Sequence, residues 1–444
     1  MKSLQQWLKD HRIVEVECLI PDITGTARGK FVPVNKIGNE QVRLSEGTLL
    51  QDVVGGYCDQ YEQLIDASDQ DMLMVPDPKT ARLVPWATRP TAQIIHDCLT
   101  LENEMHPLSS RNVLRRVLDS YTHLGIQPVV AAEVEFYLVD KNTNPDLPLQ
   151  SPVGRSGRRQ FARQPAGISA TNEYQAIIDT MYQYCEAQEL SIETLTHELG
   201  TAQLEVNFMH GNALDMADKV FTFKRTMREV ALKHGIYATF MAKPIQDQPG
   251  SSMHLHQSLL NIKTGQNYFC DSDGNKTEMF FNFIGGLQKY TPNLLSLYAP
   301  NVNSYRRFTK YNSSPINLHW GFDNRTVAFR IPNATAEATR IENRLAGIDS
   351  NPYLTIAASL ACGLVGIINK VKAQQPYEGN AGDQAVGFAR SLEEALRSLT
   401  DIKRLNEILG LEFLNAYRFV KLEEFDQFNQ TISRWEREHL LLNV

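Results

Sequence analysis

Alternating apolar and polar residues mark several short stretches of the chain as half-buried β-strands, because successive side chains of a strand point to opposite faces. Four such stretches place carboxylate, amide, imidazole or guanidinium groups on the polar face: Glu133 and Glu135 in AAEVEFYL, Gln203, Glu205 and Asn207 in GTAQLEVNF, His254 and His256 in SSMHLHQS, and Arg340, Glu342 and Arg344 in TRIENRL if that segment is extended. A solvated sheet face would explain any one of them. These faces carry no lysine, however, although lysine is common on solvated surfaces. We therefore predict that they converge on one site.

Apolar residues at the helical period of 3.6 predict helices in four segments: 109–125, 172–190, 213–235 and 391–410. Before residue 107 the chain instead shows short β-rich runs, such as VEVECLIPDITGTARGKFVPV at residues 14–34. We predict an α+β protein with a small β-rich domain at residues 1–106 and a mixed domain at residues 107–444. The polar stretch at residues 151–167 is interpreted as a long exposed loop.

The composition is typical of a folded protein that is long enough for more than one domain: 444 residues, 42% apolar and 21% charged. A formal net charge of −7 argues against a nucleic-acid partner, which would require a basic surface. The six cysteines show no Cys-x-x-Cys spacing and are interpreted as reduced core thiols. The chain shows no signal-peptide pattern and no run of about 18 apolar residues, so we expect a cytoplasmic protein without a membrane partner.

The residue types on the polar faces favour phosphoryl transfer. Carboxylates combined with imidazole are suitable ligands for Mg²⁺ or Mn²⁺, and two metal ions could be held. Arg306 and Arg307 in NSYRRF, and Arg325 and Arg330 in DNRTVAFRIP, could clamp phosphate or carboxylate oxygens. The chain has neither a P-loop nor a G-x-G-x-x-G motif, so metals and side chains would have to hold a nucleotide. Arg325 and Arg330 would face opposite sides of a regular strand, so either a bulge separates them or Arg325 precedes the strand.

An ordered set of motifs resembles the glutamine synthetase superfamily over nearly the whole chain: EVEFYL, HELGTAQLEVNF, FMAKP, GSSMHLHQS, NSYRRF, NRTVAFRIP, RIENRL and NPYL. The resemblance implies an N-terminal β-grasp domain and a catalytic domain with a curved antiparallel sheet flanked by helices. It implies an ATP-dependent ligase that phosphorylates the γ-carboxylate of L-glutamate and passes the γ-glutamyl group to an amine. A homo-oligomer is also implied, commonly a dodecamer of two stacked hexameric rings with active sites between subunits.

Matched position by position, the resemblance implies roles for individual residues, with two or more Mg²⁺ or Mn²⁺ ions in each site. The first metal would be bound by Glu135, Glu198 and Glu205, and the second by Glu133, His254 and Glu342. Nucleotide contacts are implied at Glu193, His256, Ser258, Arg325 and Arg330. Glutamate contacts are implied at Gly250, Arg307, Arg325 and Arg344, and the last two of these would clamp the transferring phosphoryl group.

The amine-binding side departs from a true glutamine synthetase. There, a flap glutamate helps to deprotonate ammonium, whereas FTKYNSSPINLHW places Ser313 at that position. The resemblance leaves Asp52, reaching across a subunit boundary, as the general base. The glycine that usually precedes the Met-His pair is Ser252.

These departures resemble the γ-glutamylpolyamine synthetases, which join glutamate to putrescine or a longer polyamine at the start of polyamine catabolism. A polycation needs an anionic or aromatic tunnel, for which Asp52, Tyr57, Asp59 and Asp323 are candidates and equally good surface residues. Three alternatives stay open: a glutamine synthetase that works without the flap glutamate, a ligase for ethanolamine or a small alkylamine, and a non-catalytic structural or regulatory relative. The apparently complete set of metal-ligand candidates argues against the last.

Overall fold

A computed structural model describes residues 3–38, 40–66, 68–310 and 314–444. Its N-terminal part contains helices α1 (Leu4–Asp10) and α2 (Tyr61–Leu64) and six strands: β1 (Glu15–Pro21), β2 (Ala27–Pro33), β3 (Val42–Ser45), β4 (Asp71–Pro76), β5 (Arg82–Leu83) and β6 (Thr91–Leu99). The strand order is β2-β1-β6-β4-β3, with β5 beside β6. The strands β1 and β6 are parallel. The division of the chain between residues 106 and 107 stays a prediction.

The β1–β2 hairpin shows how the local sequence determines the turn. Oδ1 of Asp22 accepts hydrogen bonds from the backbone N–H groups of Thr24 and Thr26, each at 2.9 Å. Gly25 has a φ of 86°, a left-handed conformation that glycine adopts without strain. Nε of Arg28 donates to the other carboxylate oxygen of Asp22 at 2.8 Å. The two β-rich runs predicted around this turn are confirmed.

The second sheet has nine strands: β7 (Ile126–Asp140), β8 (Ile192–His197), β9 (Gln203–Phe208), β10 (Gly211–Asn212), β11 (Ile236–Thr239), β12 (Met253–Asn261), β13 (Trp320–Phe322), β14 (Phe329–Ile331) and β15 (Ile341–Asn343). Its order is β13-β14-β15-β12-β7-β9-β8, and β10 and β11 also pair with β7. Adjacent strands are antiparallel apart from β13 and β14 at one edge. The long strand β7 is therefore the centre of the sheet.

Ten helices accompany this sheet in the described residues: α3 (Ser110–His123), α4 (Ile168–Asn172), α5 (Gln175–Ala187), α6 (Ala213–Lys233), α7 (Glu278–Tyr298), α8 (Pro352–Ile368), α9 (Leu392–Arg397), α10 (Lys403–Leu409), α11 (Leu411–Asn429) and α12 (Arg434–His439). The four segments with helical periodicity form α3, α5, α6 and the pair α9 and α10, as predicted. Residues 151–167 contain no regular helix or strand, which confirms the predicted loop.

The core lies between the sheet and its helices. Helix α8 packs on α7 and is buried from Pro352 to Gly366, because it is apolar on every side. All six cysteines are free and buried, as predicted. Among the described helices, none combines the length and apolarity that a membrane crossing requires.

A buried ionic network joins the first sheet to helices α3, α6 and α8. The guanidinium of Arg111 at the start of α3, 1% exposed, donates to Asp77 beside β4 at 2.8 Å and to Asp218 of α6 at 2.7 Å. The hydroxyl of Tyr353 in α8 donates to the same Asp218 at 2.6 Å. Because a buried charge is costly without its partner, this network fixes how the N-terminal sheet sits on the helices.

Candidate active site

The pairing register of three neighbouring strands brings the predicted polar faces together. His254 of β12 lies opposite Glu133 of β7, and His256 lies opposite Glu342 of β15. All four side chains therefore point into one cleft on the same face of the sheet.

Both histidines contact the carboxylate of Glu133. Nδ1 of His254 lies 2.9 Å from Oε2 of Glu133, and Nε2 of His256 lies 2.8 Å from Oε1. Burial raises the pKa of Glu133, but the hydrogen bonds from His254 and His256 outweigh it, and the net effect places the pKa far below its usual range. Glu133 is therefore ionised and accepts a hydrogen bond from each ring.

The hydrogen bonds assign different roles to the two imidazoles. Nε of Arg340 donates to Nδ1 of His256 at 3.1 Å, so Nδ1 is an acceptor and Nε2 carries the proton that Glu133 accepts. Nδ1 of His254 carries the proton in its contact with Glu133, which leaves the Nε2 lone pair free, 3.9 Å from Oε1 of Glu135. Burial lowers the pKa of His254, which keeps this ring neutral. His254 is thus suited to bind a metal, and His256 to donate a hydrogen bond.

Three further carboxylates come from β7 itself and from the neighbouring strands β8 and β9. Glu135 lies opposite Glu205 of β9, and Glu198 follows β8. Oε2 of Glu135 accepts a hydrogen bond from the backbone N–H of Ser252 at 2.7 Å. Burial, and then the neighbouring negative charges, raise the pKa of Glu135 to about 8 and of Glu205 to about 9, and burial also raises the pKa of Glu198. Such mutual repulsion is relieved when a cation binds.

Glu342 is bound by two arginines. Nη1 of Arg330 donates to Oε2 of Glu342 at 2.8 Å, and Nη1 of Arg344 donates to Oε1. Arg330 also donates through Nη2 to Asp323 at 2.6 Å. Burial raises the pKa of Glu342, but the neighbouring guanidinium of Arg344 leads the interactions that outweigh it and lower the pKa. A fully buried carboxylate is therefore kept ionised next to two guanidinium groups.

The donor set of the cleft fits divalent metals. Two groups have ligand atoms within 4.8 Å of one another: Glu133, Glu205 and His254, and Glu133, His256 and Glu342. Oxygen-rich sets with one imidazole suit Mg²⁺ or Mn²⁺. These two groups differ from the two ligand sets implied by the resemblance. Glu133 belongs to both groups in the structure, whereas the resemblance assigned it to the second metal alone.

Arg307 and Gly250 are packed together next to the cleft. Arg307 ends a 3₁₀-helix, Val302–Arg307, and its guanidinium donates to the carbonyl of Leu345 at 3.1 Å. A Cβ at Gly250 would overlap with Cγ of Arg307 and lie 2.8 Å from the carbonyl oxygen of Ala242. Burial lowers the pKa of Arg307 to about 10. Only glycine at position 250 leaves room for this arginine.

A cavity of about 480 Å³ opens beside His256 and Glu133. Its lining includes the predicted nucleotide contacts Glu193, His256 and Ser258, together with Asn207 and Arg340. The volume is in the range of small-molecule sites. The cavity therefore joins the carboxylate cluster to a space large enough for part of a nucleotide.

Arg325 precedes the strand that carries Arg330. It lies in the exposed turn between β13 and β14, so the second of the two alternatives predicted for this pair is confirmed. Its charge lowers the pKa of Glu198, against the effect of burial, which places the guanidinium near the carboxylate cluster.

Two positions were predicted for the amine side of the site, Asp52 and Ser313. Asp52 is fully buried beyond the first sheet's β3, where its carboxylate accepts hydrogen bonds from the backbone of Val54 and Gly56 and from Gln427. The structure of one chain does not bring Asp52 to the cleft. Ser313 lies outside the described residues.

Sequence reasoning missed two functional candidates, although it placed both on the right faces. Arg340 holds His256, as described above. Nε2 of Gln203 donates to Oε2 of Glu135 at 3.5 Å and to the carbonyl of Gly250 at 3.0 Å. Alternation within each strand was the available signal, because both residues share a face with a metal-ligand candidate.

Comparisons with known proteins agree with this geometry. The family model "Glutamine synthetase, catalytic domain" matches residues 107–440. The chain is 33% identical to glutamate–isopropylamine ligase from Pseudomonas sp, covering 98% of this chain and 96% of that protein. It is 31% identical to γ-glutamylputrescine synthetase PuuA from Escherichia coli strain K12, covering 97% and 92%. It is also 31% identical to glutamine synthetase from Pyrococcus abyssi, covering 96% and 92%.

Two solved structures share the fold. Apo GmaS without ligand superposes with a TM-score of 0.85 at 26% identity and covers all of both chains. A GmaS/ADP complex superposes with a TM-score of 0.86 at 26% identity, covering 99% of this chain and 100% of the other.

The chain belongs to the glutamine synthetase family. It has the fold that the sequence resemblance implied, and it is an ATP-dependent ligase that joins glutamate to an amine. Members of this family use ATP and divalent metal ions.

Proposed function

We propose that this protein phosphorylates the γ-carboxylate of L-glutamate with ATP and then transfers the γ-glutamyl group to a polyamine, such as putrescine or spermidine. The observation that carries the ligase chemistry is the convergence of five carboxylates and His254 with Arg330 and Arg344 in one cleft. Phosphoryl transfer is favoured by fixed cations around the developing charge more than by covalent chemistry.

The metal ligands we propose are Glu135, Glu198 and Glu205 for one ion and Glu133, His254 and Glu342 for a second. Mg²⁺ or Mn²⁺, when bound there, would neutralise phosphate oxygens and polarise the bond to the transferred phosphorus. Neighbouring hydrogen-bond donors hold the proposed ligands in place. The N–H of Ser252 and the amide of Gln203 orient Glu135, which preserves its geometry when the neighbouring carboxylates ionise.

We assign the substrates to opposite ends of the cleft. Arg307, with the close approach allowed by Gly250, would bind the α-carboxylate of glutamate. The Nε2–H of His256, which donates to Glu133, and the hydroxyl of Ser258 would contact the nucleotide in the cavity that both residues line. Glu193 would contact the nucleotide at the rim.

Three arginines would act on the phosphates. Arg330 would bind the ATP phosphates, while Arg344 and Arg325 would stabilise the charge on the transferred group. Arg330 and Arg344 both donate to Glu342, so a metal on Glu342 would free part of their hydrogen-bonding capacity for phosphate oxygens.

The general base is proposed to come from a neighbouring subunit of a ring-shaped homo-oligomer, with a dodecamer as the expected form. Asp52 is the candidate, and its carboxylate would have to be released by Gln427, which donates to it at 3.2 Å. Val53 and Val54 beside it are 63% and 73% exposed, which supports burial of this loop against another subunit. Replacing Asp52 with Asn should lower turnover with every protonated amine, and an unchanged rate would remove it as base.

For the amine, Tyr57 and Asp59 remain the proposed contacts, because both are exposed on the same loop as Asp52. Asp323 is dropped, since Arg330 occupies its carboxylate. A small alkylamine is the second candidate acceptor, because the relative from Pseudomonas is named for isopropylamine. Replacing Asp59 with Asn separates the two, since it should raise the KM for putrescine and leave the KM for isopropylamine unchanged.

The experiment that tests the proposal measures phosphate release from ATP with glutamate and either Mg²⁺ or Mn²⁺. The amine panel is putrescine, cadaverine, spermidine, spermine, isopropylamine, ethanolamine, methylamine and ammonium, with a chelator as the control. Strongest stimulation by a di- or polyamine supports the proposal. Strongest stimulation by isopropylamine or ammonium would show that a polyamine is not the preferred acceptor. No phosphate release with any of the amines would contradict the proposed reaction.

A further inference from the structure

A thiol and an ammonium group are in contact outside the cleft, in the connection between β12 and α7. Nζ of Lys276 lies 3.1 Å from Sγ of Cys270. Both atoms also contact the hydroxyl of Thr339 at 3.0 Å. Cys270 is 5% exposed and Thr339 is 2% exposed, so the three groups form a compact, largely buried cluster.

The other buried cysteines have a different environment. Burial raises the pKa of the thiols of Cys18, Cys98, Cys185 and Cys362 to about 12, which makes them poor nucleophiles. At Cys270, by contrast, the ammonium of Lys276 lies within hydrogen-bonding distance of the sulfur. Cys270 is therefore the cysteine with the best surroundings for reaction with an oxidant.

The backbone holds the two side chains next to each other. Cys270 and Lys276 form an antiparallel bridge across a tight turn. Oδ1 of Asp271 closes that turn by accepting hydrogen bonds from the N–H groups of Asp273 and Asn275, each at 2.9 Å. A bond between Sγ and Nζ could therefore form while residues 270 and 276 keep their backbone pairing.

We propose that Cys270 and Lys276 are a modification site at which hydrogen peroxide creates a covalent Sγ–Nζ bond and thereby weakens nucleotide binding in the adjacent cavity. The thiolate attacks one peroxide oxygen and becomes a sulfenic acid, and the released hydroxide takes a proton from the Lys276 ammonium to form water. The neutral amine then attacks the sulfur, the S–O bond breaks, and a second water leaves. Sulfur is oxidised by two electrons, the peroxide is reduced by two, and the cross-linked protein lacks two hydrogens.

The cluster is connected to the nucleotide cavity through one peptide unit. Thr339 directly precedes Arg340, which donates to His256. The cross-link would remove the charge of Lys276 and two of its three N–H groups, and so weaken its hold on the Thr339 hydroxyl. This step rests on the proposed function, because it assumes that the cavity binds a nucleotide. The expected loss of affinity for ADP is about twofold to tenfold, the equivalent of one hydrogen bond.

The test treats the full-length protein with hydrogen peroxide and maps the product by peptide mass spectrometry under non-reducing conditions. We expect a cross-linked peptide that joins Cys270 to Lys276, has lost two hydrogens and is cleaved by a thiol reductant. Cys270→Ser and Lys276→Arg should both abolish it, while Cys362→Ser should leave it unchanged. A Cys270 that stays a free thiol, or that becomes sulfinic acid in the presence of Lys276, would overturn the site.

ADP binding to the Mg²⁺-loaded protein is measured before and after peroxide, with Cys270→Ser as the control. A rise in Kd in the cross-linked protein and not in the variant supports the coupling. An unchanged Kd in fully cross-linked protein would overturn the coupling. Failure of the reduced protein to bind ADP would count against the nucleotide assignment and leave the cross-link result intact, so the two failures can be distinguished.

Discussion

Arg340 donates its Nε–H to Nδ1 of His256 at 3.1 Å, although the two residues are 84 positions apart in the chain. This bond settles which ring nitrogen of His256 carries the proton, because Arg340 has no lone pair to offer. His256 therefore carries its proton on Nε2, which donates to Glu133, and a phosphate oxygen would have to share or take over this donor.

Replacing Arg340 with Met keeps the side chain's apolar stem and removes the donor. We expect the KM for ATP to rise about tenfold or more, as for the loss of a hydrogen bond from a charged group, with a smaller effect on the KM for glutamate. The NMR signal of Nδ1 of His256 should shift because this nitrogen loses its donor, while Nε2 keeps the proton donated to Glu133. Arg397, which is 72% exposed and pairs with Glu393, provides the control. Equal effects of R397M and R340M would contradict the role of Arg340.

Glu342 should be required for both metal binding and stability. In Glu342→Ala, two guanidinium groups lose the carboxylate that they share, and breaking such a buried pair costs about 3–5 kcal/mol of unfolding free energy. Metal-dependent ATP use should also be abolished. Urea unfolding of the metal-free protein and phosphate release measure the two effects. The exposed Glu393→Ala should change stability by less than about 0.5 kcal/mol. Surviving activity in E342A would show that the metal assignment is wrong.

Gly250 should be irreplaceable because of Arg307. Gly250→Ala forces the new methyl group against the Arg307 side chain and a backbone oxygen, and overpacking of this kind costs about 1–3 kcal/mol. Because the arginine must move, we expect the KM for glutamate to rise more than the KM for ATP. Gly211→Ala is the matched control, since a Cβ there meets nothing within 4 Å. If G250A leaves the KM for glutamate unchanged, Arg307 does not bind that substrate.

Metal binding should release protons. The pKa values of Glu135 and Glu205 are raised to about 8 and 9 in the metal-free protein, so both groups are largely protonated at pH 7. A metal binds the ionised form and displaces these protons, so its affinity should rise with pH between about 7 and 9 and level off above that. Each released proton contributes up to about tenfold per pH unit. Calorimetry of Mn²⁺ binding in buffers of different ionisation enthalpy counts the protons. Affinity that falls as pH rises would contradict the assignment.

The sequence predicted most of the elements that position the site. The segments that became α3, α5 and α6 have one apolar face and one polar face, and this periodicity is a local property. Helices α7 and α8 were not predicted from the sequence. Helix α8 is buried on nearly every side, and a continuous apolar run carries no periodic signal that separates helix from strand. Helix α7 contains Gly285, Gly286 and Pro292, which are poor helix formers.

The sequence by itself determined which residues share a face. Glu133 and Glu135 lie on one side of their strand, and His254 and His256 on one side of theirs, because the two-residue repeat of a strand follows from covalent geometry. The family resemblance then named those faces as metal and nucleotide sites.

Only the tertiary structure decided which groups meet across the strands. The register between β7 and β12 places Glu133 between two histidines, the β15 pairing brings Arg340 to His256, and the turn before β14 carries Arg325. These contacts join residues far apart in the chain, and their register depends on the packing of whole sheet faces and on loop closure. No local pattern encodes that information, which is why the same residues could be named from the sequence but not connected.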